Sequence, residues 1–274
     1  MQFTSTEREY ILLYIKNLLI LCANIVYTIT VPVILLQERK ELFMSKETFQ
    51  NNITHPKDPG SAITHFIGVV LVILAALPLL FRAAKGEHPV YLISLAIFAV
   101  SMFLLYSAST IYHTFNISEK TNCLLKKMDH IMIYVLIAGS YTPVCLITLS
   151  NAGGTTLFLL VWGVALLGIL QCIFFINCPK WVSALLYIAM GWLCIFSFSD
   201  LVALLDHTSF LWLLAGGIIY TIGGIIYACK FPIFNQIHKN FGSHEIFHCF
   251  VLAGSMCHFV TMYHLLETPV SGIL

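Results

Sequence analysis

Eight apolar runs, each long enough for a helix that crosses a bilayer, occupy most of this chain. A hydrocarbon core about 30 Å thick needs about 20 predominantly apolar residues in a helix. Runs of that kind lie at 11–36, 62–81, 90–112, 130–149, 156–176, 182–205, 210–229 and 245–266. The breaks between them carry turn and charge signals, such as Lys85-Gly86-Glu87-His88-Pro89, Asn151-Ala152-Gly153-Gly154 and Asp206-His207-Thr208. The pattern predicts an all-α, polytopic membrane protein. Composition agrees: 59% of residues are hydrophobic and 10% charged, against about 25% charged in soluble domains.

The last seven runs have short connections and predict one compact seven-helix bundle over 58–274. The first run is set apart by the polar stretch 37–60. Residues 1–57 therefore read as an N-terminal extension whose helix either spans the membrane or lies along its surface. Lys16, Asn17 and Pro32 weaken that run as a span, although Lys16 is near its end and can snorkel. It is too long for a signal-peptide core and lacks a small-residue cleavage site. The nine Cys form no CxxC pair and mostly fall inside apolar runs, which predicts buried thiols and no disulfide framework. A formal charge of +1 points to no polyanionic partner, so no nucleic acid is expected. Gly216-Gly217 and Gly223-Gly224 predict close helix packing.

Lys and Arg set the orientation. Segments 37–60, 113–128, 177–181 and 230–243 share one side and hold Arg39, Lys40, Lys46, Lys57, Lys120, Lys126, Lys127, Lys180, Lys230 and Lys239. The opposite side holds only Arg8, Arg82 and Lys85, and Lys16 lies within the first run. Ten against three predicts that the first side is cytoplasmic.

Ionisable groups are costly inside a bilayer, and each needs a reason. His244 and His248, at i and i+4 where the last helix opens, share one helix face. One helix can offer two nitrogen ligands to a metal in this way; two interfacial histidines bonded to backbone or water are the plain alternative. His113 closes the run 90–112 at the same depth, where an ordinary helix-end His would also sit well. Three His at one depth fit a catalytic zinc pattern of three protein ligands plus water. Ser109, one turn before His113, is placed to orient a ligand or water. Asp129 opens the run 130–149 at that same end. It reads either as a helix N-cap or as an acceptor or base beside metal-bound water. His65, Asp200 and His258 are weaker features: His65 reads as a residue behind the metal ligands or as hydrogen-bonded to a neighbouring helix, Asp200 and His258 as lining of an inner cavity or proton path, and each also as a lone satisfied polar residue. Glu245 reads as an acidic residue favoured in a first helical turn.

These residues resemble a known family. Ser61-Ala-Ile-Thr-His-Phe-Ile-Gly68, Ser109-x3-His113, Met128-Asp-His130 with Ala138-Gly-Ser-Tyr-Thr-Pro143, and His244-x3-His248 with His258-Phe259 are similar, in order, to the haemolysin III group. That group sits within the progestin and adipoQ receptor superfamily, with the alkaline ceramidases as relatives. The resemblance covers 58–266. It implies a multi-pass plasma-membrane protein with a seven-helix core and a cytoplasmic amino end. It implies Zn2+ held by His113, His244 and His248 with water as fourth ligand, and Asp129 and Ser109 near that water. Two departures stand out: Ser61 where the family carries Asn, and Asp58 where it carries Glu.

Three functions follow as expectations. The first is a zinc-dependent intramembrane hydrolase acting on an amide or ester of a membrane lipid, ceramide-like by the resemblance. The second is a pore-forming, cytolytic protein, for which the chain offers neither a charged ring nor an amphipathic pore helix. The third is a lipid-sensing or membrane-homeostasis protein in which zinc is structural.

Overall fold

The computed structural model describes residues 51–52, 55–86, 88–175, 179–229 and 242–267. The run 11–36 lies outside the described residues. Seven helical segments are long and apolar enough to cross a membrane, and the described residues contain no strand. The chain is an all-α polytopic membrane protein.

Local sequence explains where the helices begin. α1 (Pro59–Ala84) and α2 (Pro89–Thr114) each start on proline, whose missing N–H costs nothing in the first turn. α3 (Glu119–Pro143) starts at Ser118, whose hydroxyl accepts the Thr121 amide at 3.2 Å. Its polar opening turns run ahead of the apolar run 130–149. Asp129 therefore lies well inside α3, which removes the N-cap reading. Proline cannot donate a helical hydrogen bond, and after Pro143 the helix widens into a π turn, Val144–Thr148. That turn closes with a bond of 2.9 Å from the Leu149 amide to the Val144 carbonyl. A left-handed Gly153, φ 77°, then leads into α4 (Gly154–Phe174).

The fifth span, Lys180–Leu204, is broken. It consists of α5 (Lys180–Gly191), a 3-10 segment (Leu193–Ser197) and α6 (Phe198–Leu204). Non-helical backbone at membrane depth needs protein partners. Tyr141 of α3 supplies them: its hydroxyl donates to the Gly191 carbonyl at 2.6 Å and accepts from the Cys194 amide at 2.9 Å. α7 (His207–Cys229) is capped by Asp206, which accepts the Thr208 and Ser209 amides at 3.0 Å each. α8 (Ser243–Leu265) packs against both α7 and α1 and closes the ring of helices.

Polarity is inverted relative to a water-soluble bundle. Ile63, Phe66, Val70 and Leu74 line an exposed face of α1, and Leu159, Leu166, Leu167 and Phe174 are exposed on α4. His65, Ser101, Ser109, His113, Asp129 and His248 are buried. Apolar groups outside and polar groups within fit hydrocarbon as the solvent. Of the four paired glycines, Gly223 seats Phe250, Gly224 faces Ile188 and Gly216 seats His258, as close packing predicts; Gly217 meets no neighbour and borders a cavity. No disulfide joins the described cysteines.

Candidate metal centre

The last turn of α2 and the first turns of α8 meet at one end of the bundle. His113 comes from the former, His244 and His248 from the latter. One ring nitrogen of each lies within 4.8 Å of the others. The Nε2 atoms of His113 and His244 face each other at 3.2 Å. His113 and His248 are each 2% exposed. The i, i+4 spacing brings the His244 and His248 rings to 4.5 Å between centroids, and His113 closes the triangle at 5.0 and 5.1 Å.

Neighbouring groups fix which nitrogens are free. His113 Nδ1 lies 2.9 Å from Asp58 Oδ2, so its N–H donates to that carboxylate and Nε2 keeps its lone pair. The bond holds the Asp58 carboxyl below the usual carboxylate range, against the upward push of partial burial. Lys57 stands 3.8 Å from the same carboxylate, with its ammonium 3.5 Å from the Tyr112 ring centre; burial holds the Lys57 amine below the usual lysine range. The Asp58 and Lys57 amides bond the His113 and Thr114 carbonyls at 2.9 and 3.2 Å, tying this segment to the end of α2. His248 Nδ1 is 3.3 Å from Thr64 Oγ1. The Thr64 hydroxyl proton is directed at the Gly60 and Ser61 carbonyls, at 3.0 Å each, so its oxygen can accept from the imidazole. His65 stacks on His248, ring centroids 3.7 Å apart and planes 7° from parallel.

Two further contacts anchor α8. Glu245 accepts the Gly242 amide at 2.8 Å and the Ser61 hydroxyl at 2.6 Å. The first-turn role read for Glu245 is present, and Ser61 ties it to α1.

Asp129 is 7% exposed and faces the same cavity as His65, His244 and His248. His130 Nδ1 lies 3.7 Å from Asp129 Oδ2, but that nitrogen sits 2.8 Å from the Lys126 carbonyl and gives its proton there. Ser109 is fully buried one turn before His113, and its hydroxyl meets no partner among the described residues. It does not border the cavity. The cavity, counted with its open mouth, takes in about 1060 Å³ between α3, α5, α7 and α8. Its walls are mainly apolar, with Asp129 and the histidines at one end and His258 at the other. Asp200, by contrast, borders no described cavity.

The structure thus gathers His113, His244 and His248 and sets Asp129 on the cavity that His244 and His248 also line. Sequence reasoning missed Asp58 and Thr64 as neighbours of the cluster; His65, read either as a neighbour of the metal ligands or as bonded to an adjacent helix, stacks on His248. A signal existed for Asp58: an acidic residue directly before Pro59, at the depth of His113.

Residues 53–259 match the family described as Haemolysin-III related. The chain is 40% identical over 217 residues to a protein called Hemolysin-3 homolog from Bacillus subtilis (strain 168), an alignment covering 79% of this chain and 98% of that relative. It is also 40% identical over 210 residues to Hemolysin-3 from Bacillus cereus, covering 76% and 92% respectively.

Proposed function

The chain belongs to the haemolysin-III-related family, and we propose that it is a zinc-dependent intramembrane hydrolase of lipid amides or esters. The observation that carries this reading is the 3.2 Å approach of two imidazole Nε2 atoms beside a buried carboxylate and a large apolar cavity. Without a metal, a neutral His244 can donate its Nε2 proton to the free Nε2 of His113; a metal ion would take that proton's place between the two nitrogens. Tetrahedral zinc, with Zn–N bonds of about 2.0–2.1 Å, sets its ligand nitrogens roughly 3.3 Å apart. The donor set fits: three imidazoles, with Asp58 and Thr64 holding the outer nitrogens of two of them. When bound, zinc supplies a Lewis acid and lowers the pKa of water toward about 7.

The chain's own residues do the rest. Asp58 and Thr64 keep the His113 and His248 lone pairs turned inward. Asp129 takes a proton from the attacking water and returns it to the leaving nitrogen or oxygen, so that water adds across the acyl C–N or C–O bond. Ser109, one turn before His113, brings a hydroxyl that no described residue engages and that is free to orient a ligand or water. The apolar cavity holds the hydrocarbon chain and excludes bulk water. The substrate class is a ceramide-like lipid in the plasma membrane, and the site opens on the cytoplasmic side, as the lysine and arginine distribution predicts.

The test is metal content beside turnover. Purified wild type should carry one zinc per chain and release fatty acid from a lipid amide. His113→Ala, His244→Ala and His248→Ala should lose both. Asp129→Asn and Ser109→Ala should keep zinc and lose turnover. Zinc unchanged in all three histidine variants would remove the site; zinc with no hydrolysis across a lipid library would reduce it to a structural centre.

A further inference from the structure

The cavity has a second polar end that the metal centre does not use. A smaller cavity of about 670 Å³ adjoins the first and shares with it Ser140, Tyr141, Gly191, Trp192, Gly217 and His258. These residues form a waist. Beyond it the second lobe is apolar, lined by Leu157, Phe198, Leu201, Phe210, Leu213 and Leu214.

His258 is the unsatisfied group at this waist. Both its ring nitrogens are sealed from solvent and make no hydrogen bond within the described residues; the Leu213 carbonyl bears on the ring without hydrogen-bond geometry. Its neighbours are spoken for. Ser255 is bonded to the Tyr106 and Tyr220 hydroxyls at 2.5 and 2.7 Å, and the Trp192 N–H donates to Thr221 Oγ1 at 2.9 Å. Leaving a buried imidazole unpaired is costly. The fold nevertheless makes room for it. A Cβ at Gly216 would lie 2.2 Å from His258 Cδ2 and 2.5 Å from its Nε2, so α7 carries glycine where the ring sits. The Tyr220 ring meets the imidazole edge-on, 5.2 Å between centroids.

We propose that His258 is a second binding subsite, which takes a hydroxyl group on the chain of a long lipid. A neutral imidazole offers one donor and one acceptor on different edges of its ring, and a hydroxyl, which can accept or donate, answers whichever nitrogen it meets. The group must be neutral: among the described residues lining the two lobes, Asp129 alone is an acid and none is Lys or Arg. A carboxylate at the waist would be buried with no cation. Spacing sets the position of the hydroxyl. His258 follows His248 by ten residues on α8, about 15 Å at 1.5 Å per residue. An extended chain advances roughly 1.2 Å per bond, which puts the hydroxyl about twelve bonds from a carbonyl at the metal centre. The rest of the chain enters the apolar lobe. The placement of the carbonyl rests on the hydrolase reading; the hydroxyl subsite does not.

The experiment is competitive binding of 12-hydroxyoctadecanamide and octadecanamide to the full-length protein in detergent, read by native mass spectrometry. Wild type should prefer the hydroxylated amide by about threefold to tenfold, the worth of a buried hydrogen bond, and should prefer it over 6-hydroxyoctadecanamide. His258→Phe should bind octadecanamide as before and lose the preference. Gly216→Ala, which displaces the ring, should weaken the preference in a protein with an intact elution profile. Equal binding of the three amides by wild type overturns the subsite, as does a preference that survives in His258→Phe. Cleavage of both amides without preference would defeat the subsite and leave the hydrolase standing; preference without cleavage would do the reverse.

Discussion

Replacing Asp58 tests whether the carboxylate beside His113 tunes the metal centre. The Asp58 side chain accepts the His113 Nδ1 proton at 2.9 Å, and that bond selects the tautomer with Nε2 free. Asp58→Ala removes the acceptor. His113 can then carry its proton on either nitrogen, and the ring is free to rotate. Losing such an outer partner costs a metal site about tenfold to a hundredfold in affinity. The Asp58 side chain is 43% exposed, while that of His113 is 3% exposed. Water can therefore replace part of the lost bond, and the effect should fall at the lower end, about tenfold, or ~1.4 kcal/mol. Asp58→Asn keeps an acceptor oxygen but loses the charge, so it should fall between wild type and Asp58→Ala. The assay is chelator competition for zinc on purified protein, with His113→Ala as the reference for total loss. Wild-type affinity in Asp58→Ala would refute the reasoning, because a His113 that ligates zinc cannot be indifferent to its proton's partner.

Two further outcomes test the fold that holds the site. Tyr141→Phe leaves the Gly191 carbonyl and the Cys194 amide without their partner at the break in the fifth span; the melting temperature should fall by an amount corresponding to about 1–3 kcal/mol, and an unchanged melt would show that the break is satisfied some other way. Asp206→Ala removes the α7 cap and should cost about 0.5–2 kcal/mol. The Ser209 hydroxyl and the helix amides hold the Asp206 carboxyl below its ordinary value, so its contribution is present above the unfolded pKa near 3.9 and is lost as pH falls through the folded value. Thermal melts should therefore show a steady gap between wild type and Asp206→Ala from pH 8 to pH 5 and a narrowing gap below pH 4; a gap that persists in acid would mean the ionised carboxylate is not the cap.

The spans were legible because lipid imposes one requirement, length of apolar sequence, that composition alone reveals. The same criterion hid two features. It began the third span at residue 130, because Lys120, Lys126 and Lys127 are not apolar; yet Ser118 caps a helix that carries them beyond the hydrocarbon. It read the fifth span as continuous, because a break satisfied by a tyrosine from another helix leaves no mark on hydropathy. The histidines could be found from i, i+4 spacing and from depth, both local properties. Asp58 showed only its depth, before Pro59, and Thr64 showed nothing, since their pairing with His113 and His248 depends on how α1 crosses α2 and α8.

Asp129 shows how the structure changes the weight of a sequence reading. As an N-cap it would need no other explanation, since an Asp at a helix start is repaid by the amides it accepts. Inside α3 those amides are already committed to the helix, and Ser118 does the capping. The adjacent His130 gives its Nδ1 proton to the Lys126 carbonyl rather than to the carboxylate. A carboxylate 7% exposed, in an apolar cavity, is thus kept at a cost that its own helix does not offset. Two of the three clustered imidazoles, His244 and His248, line that cavity. A cation held by them would offset the cost, and so would a proton in transit between water and a leaving group. Under the proposed hydrolase reading, the burial of Asp129 and the His113, His244 and His248 cluster explain each other, which is why the proposal treats them as one site.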